Sequence, residues 1–178
     1  ITWVAGRLAQ HLVVRHVFTL FLGKSDQHGL AAAVDAGTHT YAFRRGADVT
    51  ASDCHPLAAA FLRENLRLNA LAPMKYRHGQ WGAAVADSDS QAVQGLFDLV
   101  LGSDLLYERD ADGALARFIA LHSAPAAQVW MVDPDRGNRN AFTRCMAQHG
   151  FALQEERLHT PASPGVLLYK GRMLIYAR

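Results

Sequence analysis

Cysteine is scarce in this sequence, and Cys54 and Cys145 are the only two among 178 residues. Two isolated cysteines make neither a disulfide framework nor a zinc site. The nine histidines also stand without the i, i+4 or Cys/His spacing of metal ligands. We therefore expect no bound metal and no disulfide, as is typical of a protein in the reducing cytoplasm.

Long apolar runs and a surplus of charge are missing as well. The run Leu12–Leu22 is broken by Arg15 and His16 and falls short of the ~18–20 residues of a membrane span, so we expect no membrane partner. We interpret it as a buried amphipathic helix in an N-terminal helical segment, residues 1–22. The formal net charge of +2 gives no specific nucleic-acid signal.

Apolar residues are plentiful, since 50% of the chain is hydrophobic and only 19% is charged. This suits one domain, residues 1–178, that buries a core without help from metals or disulfides. Because the chain opens on Ile1 rather than Met, a missing N-terminal piece is a further expectation.

Strand-like and helical patterns alternate over the rest of the chain. The predicted strands are Ala47–Ser52, Met74–Arg77, Phe97–Gly102 and Val129–Val132, followed by Phe151–Leu158, Val166–Tyr169 and Met173–Ala177. The predicted helices carry Leu57, Phe61 and Leu68, then Leu115, Phe118 and Ile119 behind a cap at Asp110, then Phe142, Cys145 and Met146 before Gly150. With Lys170–Gly171 as a hairpin turn, this order predicts a mostly parallel sheet with an antiparallel edge.

Polar residues close three of the predicted strands: Asp53, then Ser103 with Asp104, then Asp133. Ligands of open parallel sheets bind outside the carboxyl ends of the strands, so we expect a nucleotide-like ligand there. A carboxylate at Asp53 can accept two hydrogen bonds from ribose hydroxyls, although it could also cap the following helix. The loop Asp133–Arg136 could border the substrate mouth, although we interpret it as a solvated loop.

Two of these segments resemble a known family. The stretch Arg44–Asp53 (RRGADVTASD) resembles the second strand of class I methyltransferases, where the closing acid holds the cofactor ribose, and Phe97–Tyr107 (FDLVLGSDLLY) resembles their fourth strand. The tetrad Asp104–Tyr107 is similar to the Asp-x-x-Tyr signature of the group that contains many protein lysine methyltransferases. Gly79–Gly82 (GQWG) resembles the adenine-side loop of that group.

The resemblance implies an α/β, Rossmann-like fold, with a mostly parallel seven-stranded sheet, helices on both faces and an antiparallel C-terminal edge. It also implies S-adenosylmethionine as the cofactor. The implied cofactor-binding residues are Asp35, Gly37, Asp53, Cys54, Gln80, Trp81 and Ser103. Asp104 would orient the incoming amine and Tyr107 would line the channel, so these two are the catalytic candidates. The alternative is that Asp104 caps a turn while Tyr107 and Trp81 pack in the core.

The glycine-rich loop departs from the family pattern. Such enzymes place an acid and about three glycines after the first strand, because the backbone must approach the cofactor closely. The stretch Val34–Tyr41 (VDAGTHTY) keeps Asp35 and Gly37 but has His39 and Tyr41 in place of the other glycines. Residues 25–43 are therefore a degenerate site, an unusual loop or an incorrect stretch of sequence.

Several functions stay open at this point. The first is an S-adenosylmethionine-dependent methyltransferase that acts on a protein side chain such as lysine, with a small-molecule acceptor as its variant. The second is a nucleotide-binding oxidoreductase, which the missing G-x-G-x-x-G motif disfavours. The third is a catalytically impaired binding module with the same fold.

Overall fold

The structure, a computed structural model, describes residues 16–20, 48–53, 56–79, 81, 92–103, 105–107, 109–110, 112–135, 137–160 and 169–178. The strands are β1 His16–Leu20, β2 Asp48–Asp53, β3 Lys75–His78, β4 Phe97–Ser103, β5 Ser123–Asp133, β6 Ala152–Thr160 and β7 Tyr169–Ala177. The helices in these ranges are α1 Ala58–Leu68, α2 Ala114–Leu121 and α3 Arg139–Gln148.

The strands form one mixed sheet in the order β3-β2-β1-β4-β5-β7-β6. The pairs β1–β2, β2–β3, β1–β4 and β4–β5 are parallel, whereas β7 runs antiparallel to both of its neighbours. The predicted antiparallel C-terminal edge is therefore confirmed, with β7 one position in from the edge and β6 at the edge itself. Because β7 pairs with both β5 and β6, it forms a ladder of backbone hydrogen bonds on each side.

The hairpin turn predicted at Lys170–Gly171 is wrong. Both residues lie within β7, where Lys170 pairs with His159 and Gly171 with Leu158. A Lys–Gly pair marks a turn only when the flanking segments pair with each other, and here they form one continuous strand. The connection from β6 to β7 falls at residues 161–168, outside the described ranges.

The N-terminal helix predicted over residues 1–22 is also wrong where the structure describes it. Residues His16–Leu20 form β1, in which Val17 pairs with Val49 on one side and with Leu99 on the other. A short apolar run fits a strand with two neighbours as well as it fits a buried helix, so the sequence pattern could not separate them. Residues 1–15 and 21–22 lie outside the described part.

The helices cover both faces of the sheet, as the sequence predicted. On one face, the row Val100, Val129 and Tyr176 packs with the buried side chains of α2 and α3. On the other face, Ala51 packs against Leu62 and Leu66 of α1. Each layer of helices buries apolar surface of the sheet. Burial of apolar surface stabilises the folded state by roughly 25 cal/mol per Å² and is the main source of stability in such a layered fold.

The predicted helix α1 is confirmed, but the residues that marked its pattern are not the ones it buries. Leu57, Phe61 and Leu68 are 54%, 60% and 66% exposed, whereas Leu62 and Leu66 are buried. The helix carries apolar residues on both sides, and the buried side packs against Ala51 of β2.

Two predicted helix ends are confirmed. The Asp110 carboxylate accepts hydrogen bonds from the backbone amides of Ala114 (2.8 Å) and Leu115 (3.0 Å), two groups of the first turn of α2 that have no partner inside the helix. Gly150 has φ +83° after α3, and the amide of Phe151 donates to the carbonyl of Met146 at 3.2 Å. This C-terminal cap requires the left-handed conformation that glycine adopts without strain.

Two features are absent from the described residues. No helix there is long and apolar enough to cross a membrane. Likewise, no group of three or more His, Cys, Asp and Glu side chains is arranged there to hold a metal ion.

Candidate functional site

The carboxyl end of β2 presents a buried carboxylate. Asp53 ends the strand and is only 1% exposed. Its backbone carbonyl accepts hydrogen bonds from the hydroxyl of Tyr76 (3.0 Å) and the amide of Gly79 (3.2 Å). Helix α1 begins at Ala58 with Leu57 in the N-cap position, so the interpretation of Asp53 as that cap is wrong.

The neighbouring Ser52 is fully buried, and its hydroxyl has no hydrogen-bond partner among the described residues. It lies against Gly79, where an added Cβ would come within 2.2 Å of Ser52 Oγ. The chain after β3 therefore passes directly over the end of β2, and only a residue without a side chain fits there. Sequence reasoning placed Gly79 in the adenine-side loop but missed Ser52, because a serine inside a strand carries no motif of its own.

Trp81 follows this close approach and is half-buried. Its ring packs against Phe118 of α2 with 6.1 Å between the ring centroids, in a tilted arrangement. One part of the indole thus contributes to the core and another part stays accessible. Two further implied cofactor residues, Cys54 next to Asp53 and Gln80 next to Trp81, lie outside the described ranges.

The end of β4 carries Ser103, which is 8% exposed. After it the chain turns inward, since Leu105 and Leu106 are buried at 5% and 3% exposure, while Tyr107 is half-buried. A Cβ on Gly102 would lie 2.6 Å from Leu105 Cδ1, so the loop folds closely over its own strand. The catalytic candidate Asp104 lies outside the described residues.

Strand β1 brings the ends of β2 and β4 together. Leu20 pairs with Ser52 on one side and with Gly102 on the other, so Asp53 and Ser103 both follow directly at this edge. Two strand spacings separate them, which corresponds to about 10 Å. The sequence prediction that these polar residues share one edge is confirmed by this register.

The chain that continues from β1 at this edge begins with Phe21, and its first glycine is Gly23. The predicted register instead placed the cofactor loop at Asp35 and Gly37, much further along the sequence. All of these residues, and the whole segment 25–43, lie outside the described ranges. Their role in cofactor binding stays a prediction.

The loop after β5 is exposed at Asp135 and Gly137, in agreement with the solvated loop that the sequence suggested, and it also carries ion pairs. Asp135 bonds to Arg172 (3.0 Å) and to Arg139 (2.8 Å), and Glu155 contacts both arginines. The hydrogen bond from Arg172 is the main reason that the pKa of Asp135 lies below its ordinary value, with Arg139 adding to the effect. Asp133, at the strand end, is 1% exposed.

Asn138 connects this turn to the loop after β4. Its side-chain Nδ2 donates a 2.9 Å hydrogen bond to the backbone carbonyl of Leu106, 32 residues earlier in the chain. The sequence offered only a weak signal for it, namely an asparagine in front of a helix. The three loops after β2, β4 and β5 thus meet at one edge of the sheet, with a carboxylate buried at two of the three strand ends.

Solved methyltransferase structures share this architecture. A methyltransferase from Pyrococcus furiosus matches with a TM-score of 0.62 and 14% identity, over 99% of this chain and 83% of the other. Magnesium protoporphyrin IX methyltransferase from Synechocystis PCC 6803, with bound S-adenosylmethionine, matches with a TM-score of 0.62 and 17% identity, over 99% of this chain and 76% of the other. A ribosomal protein L11 methylase from Lactobacillus delbrueckii subsp. bulgaricus matches with a TM-score of 0.57 and 18% identity, over 98% and 77%.

These likenesses establish the Rossmann-like α/β fold of methyltransferases for this chain. No protein-family model matches the sequence, and no curated protein matches it significantly. Because fold alone does not fix function, the activity has to be argued from the site.

Proposed function

We propose that this chain is an S-adenosylmethionine-dependent methyltransferase that modifies a protein side chain such as lysine. The observation that carries the proposal is the buried carboxylate of Asp53 at the carboxyl end of β2, two strands from the loop that leads to Tyr107. This edge is where open α/β sheets bind nucleosides, and solved methyltransferase structures have the same fold.

The residues at the end of β2 fit the nucleoside part of the cofactor. A carboxylate accepts hydrogen bonds from two vicinal ribose hydroxyls, and each charge-assisted bond contributes about 1.5–3 kcal/mol. The buried hydroxyl of Ser52, without a partner among the described residues, gives the same region a second polar group. The accessible part of Trp81 offers an aromatic surface for a flat base.

The cofactor supplies a methyl group on a sulfonium, and the chain has to present a neutral acceptor in line with it. A lysine side chain has an ordinary pKa near ~10.4, so the site must desolvate the amine or remove its proton. We assign the orientation of the amine and the acceptance of that proton to Asp104. The ring of Tyr107 forms the channel wall beside it and excludes water.

Two alternatives follow from particular features. A small-molecule acceptor is favoured by similarity to proteins such as the protoporphyrin methyltransferase, which has the same fold. A catalytically impaired binding module is favoured by the glycine-poor stretch at residues 25–43. Both alternatives have the same sheet edge formed by β1, β2 and β4, so the fold does not distinguish them. The experiment must therefore measure cofactor binding and methyl transfer separately.

The test has two stages. Calorimetric titration with S-adenosylmethionine measures binding, and transfer of tritium from methyl-labelled S-adenosylmethionine to a pool of lysine-containing peptides measures activity. We expect saturable binding and labelled peptides, with a matched peptide pool of arginine in place of lysine as the control. Binding without transfer to peptides, but with transfer to small amines, would favour the small-molecule alternative. Absence of binding would favour the binding module.

A further inference from the structure

Asn138 stands at the N-cap position of α3, yet its side chain makes no cap hydrogen bond. Its backbone carbonyl accepts hydrogen bonds from the backbone amides of Ala141 (3.1 Å) and Phe142 (3.2 Å), as is usual at the N-terminus of a helix. Asparagine is among the preferred N-cap residues because its side-chain oxygen can accept from the first turn. Here the side-chain amide instead donates to the carbonyl of Leu106 at 2.9 Å.

The donor end of this hydrogen bond is firmly anchored. The turn from β5 to α3 holds Asp135 at φ 68° and Gly137 at φ 84°, both in the left-handed region. Asp135 is fixed by its ion pairs with Arg139 and Arg172, which reach it from α3 and from β7. Such a turn gives Asn138 little freedom to change its direction.

The acceptor end lies in the loop that carries both catalytic candidates. The carbonyl of Leu106 belongs to the peptide bond that joins Leu106 to Tyr107, and Asp104 stands two residues earlier. Leu105 and Leu106 anchor this loop in the core through their side chains. Side-chain packing alone leaves a peptide plane free to tilt, and a hydrogen bond to its carbonyl removes that freedom.

We propose that Asn138 is a positioning residue that orients the Leu106–Tyr107 peptide and thereby sets the direction of the Tyr107 side chain toward the methyl acceptor. The proposal rests on the proposed methyltransferase function. Because Asp53 ends β2, on the far side of β1 from β4, loss of this hydrogen bond should affect transfer to the acceptor and leave cofactor affinity unchanged.

The decisive variant is Asn138→Asp. It keeps the size of the side chain and its ability to cap α3, but it lacks the donor and places an acceptor against the Leu106 carbonyl. Asn140→Asp is the matched control, since it makes the same charge change at an exposed position in the first turn of α3. Asn138→Gln retains an amide donor and should recover part of any loss.

For Asn138→Asp we expect tritium transfer to the lysine-peptide pool to fall about tenfold or more, because small misplacements of reacting groups are costly. The dissociation constant for S-adenosylmethionine and the melting temperature should stay close to those of Asn140→Asp. A transfer rate equal to that of the control would overturn the proposal. Parallel losses of transfer, cofactor affinity and melting temperature would also overturn it, since they indicate a general structural role.

A second measurement separates this proposal from the proposed function. Amide hydrogen exchange of a fragment that contains Leu105–Tyr107 reports the restraint on the loop without cofactor or acceptor. Faster exchange in Asn138→Asp than in Asn140→Asp supports the restraint even if the wild-type protein fails to label peptides, in which case only the proposed activity is rejected. Equal exchange in the two variants rejects the restraint itself.

Discussion

The hydroxyl of Tyr76 donates a 3.0 Å hydrogen bond to the backbone carbonyl of Asp53. Tyr76 lies on β3 and pairs with Ala51, so its ring spans two residues of β2 to reach the strand end. The bond holds the backbone carbonyl of Asp53 in place at the end of β2. Strand β3 therefore supports the candidate site without entering it.

Replacement of Asp53 by Ala should weaken binding of S-adenosylmethionine by at least ~1.5 kcal/mol, because two charge-assisted hydrogen bonds to ribose would be lost. Calorimetric titration measures the change. Asp48→Ala, at the other end of β2, is the matched control, since Asp48 forms an exposed pair with Lys75 at 2.8 Å. Unchanged cofactor affinity in a folded Asp53→Ala protein would remove Asp53 from the site.

Replacement of Asp104 by Asn should lower the rate of methyl transfer much more than it lowers cofactor affinity, because its proposed partner is the acceptor amine. Steady-state rates and titrations on the same preparation test this. If transfer persists within about twofold of wild type, the catalytic assignment is wrong. In the same assay Tyr107→Phe should be milder than Tyr107→Ala, since a channel wall needs the ring more than the hydroxyl.

Replacement of Gly79 by Ala should destabilise the protein by about 1–3 kcal/mol, the usual cost of overpacking. The new Cβ would meet Ser52 Oγ at 2.2 Å, whereas its next neighbour, Phe118 Cζ, lies at 3.4 Å. Ser52→Ala removes the hydroxyl and should restore most of the loss in the double variant. Urea unfolding of the four proteins gives the coupling free energy, and additive effects would show that the two residues do not interact.

His122 should make the stability depend on pH. Burial lowers its pKa from the ordinary value of 6.5, and this outweighs the opposing hydrogen bond to the carbonyl of Gly95. The unfolded chain therefore takes up a proton that the folded chain resists. Stability should be fully present above pH 6.5 and should decrease as the pH falls through the lower, folded pKa. Unfolding midpoints for wild type and His122→Gln test this, and identical pH profiles would contradict it.

The sequence predicted the strands that end at the candidate site because they are apolar runs closed by polar residues. Phe97–Gly102 and Val129–Val132 both lie within observed strands, and Asp53 closes β2. The sequence failed at β1, since an apolar run of this length has no periodicity that separates strand from helix. The sequence pattern did not identify the buried side of α1, because apolar residues occur on both sides of that helix.

The polar contacts of the site edge were beyond the reach of sequence reasoning. Asn138 and Leu106 are 32 residues apart, and Arg172 and Asp135 are 37 apart. Such pairs depend on which strand ends become neighbours in the sheet, and no local pattern encodes that. The cap at Asp110 was predictable because its partners lie four and five residues away.

The position of β7 bears on how the protein emerges from the ribosome. This strand follows β6 in the chain, yet it lies between β5 and β6 and supplies the partner residues Ile175 and Tyr176 to both. Until it is translated, β5 has an open edge and β6 lacks its neighbour. The strands β1 to β5 pair with one another without β7, so the waiting edge is the one on β5. An unpaired strand edge is a template for pairing with another chain, so we expect the nascent protein to be most prone to aggregation between the synthesis of β5 and that of β7.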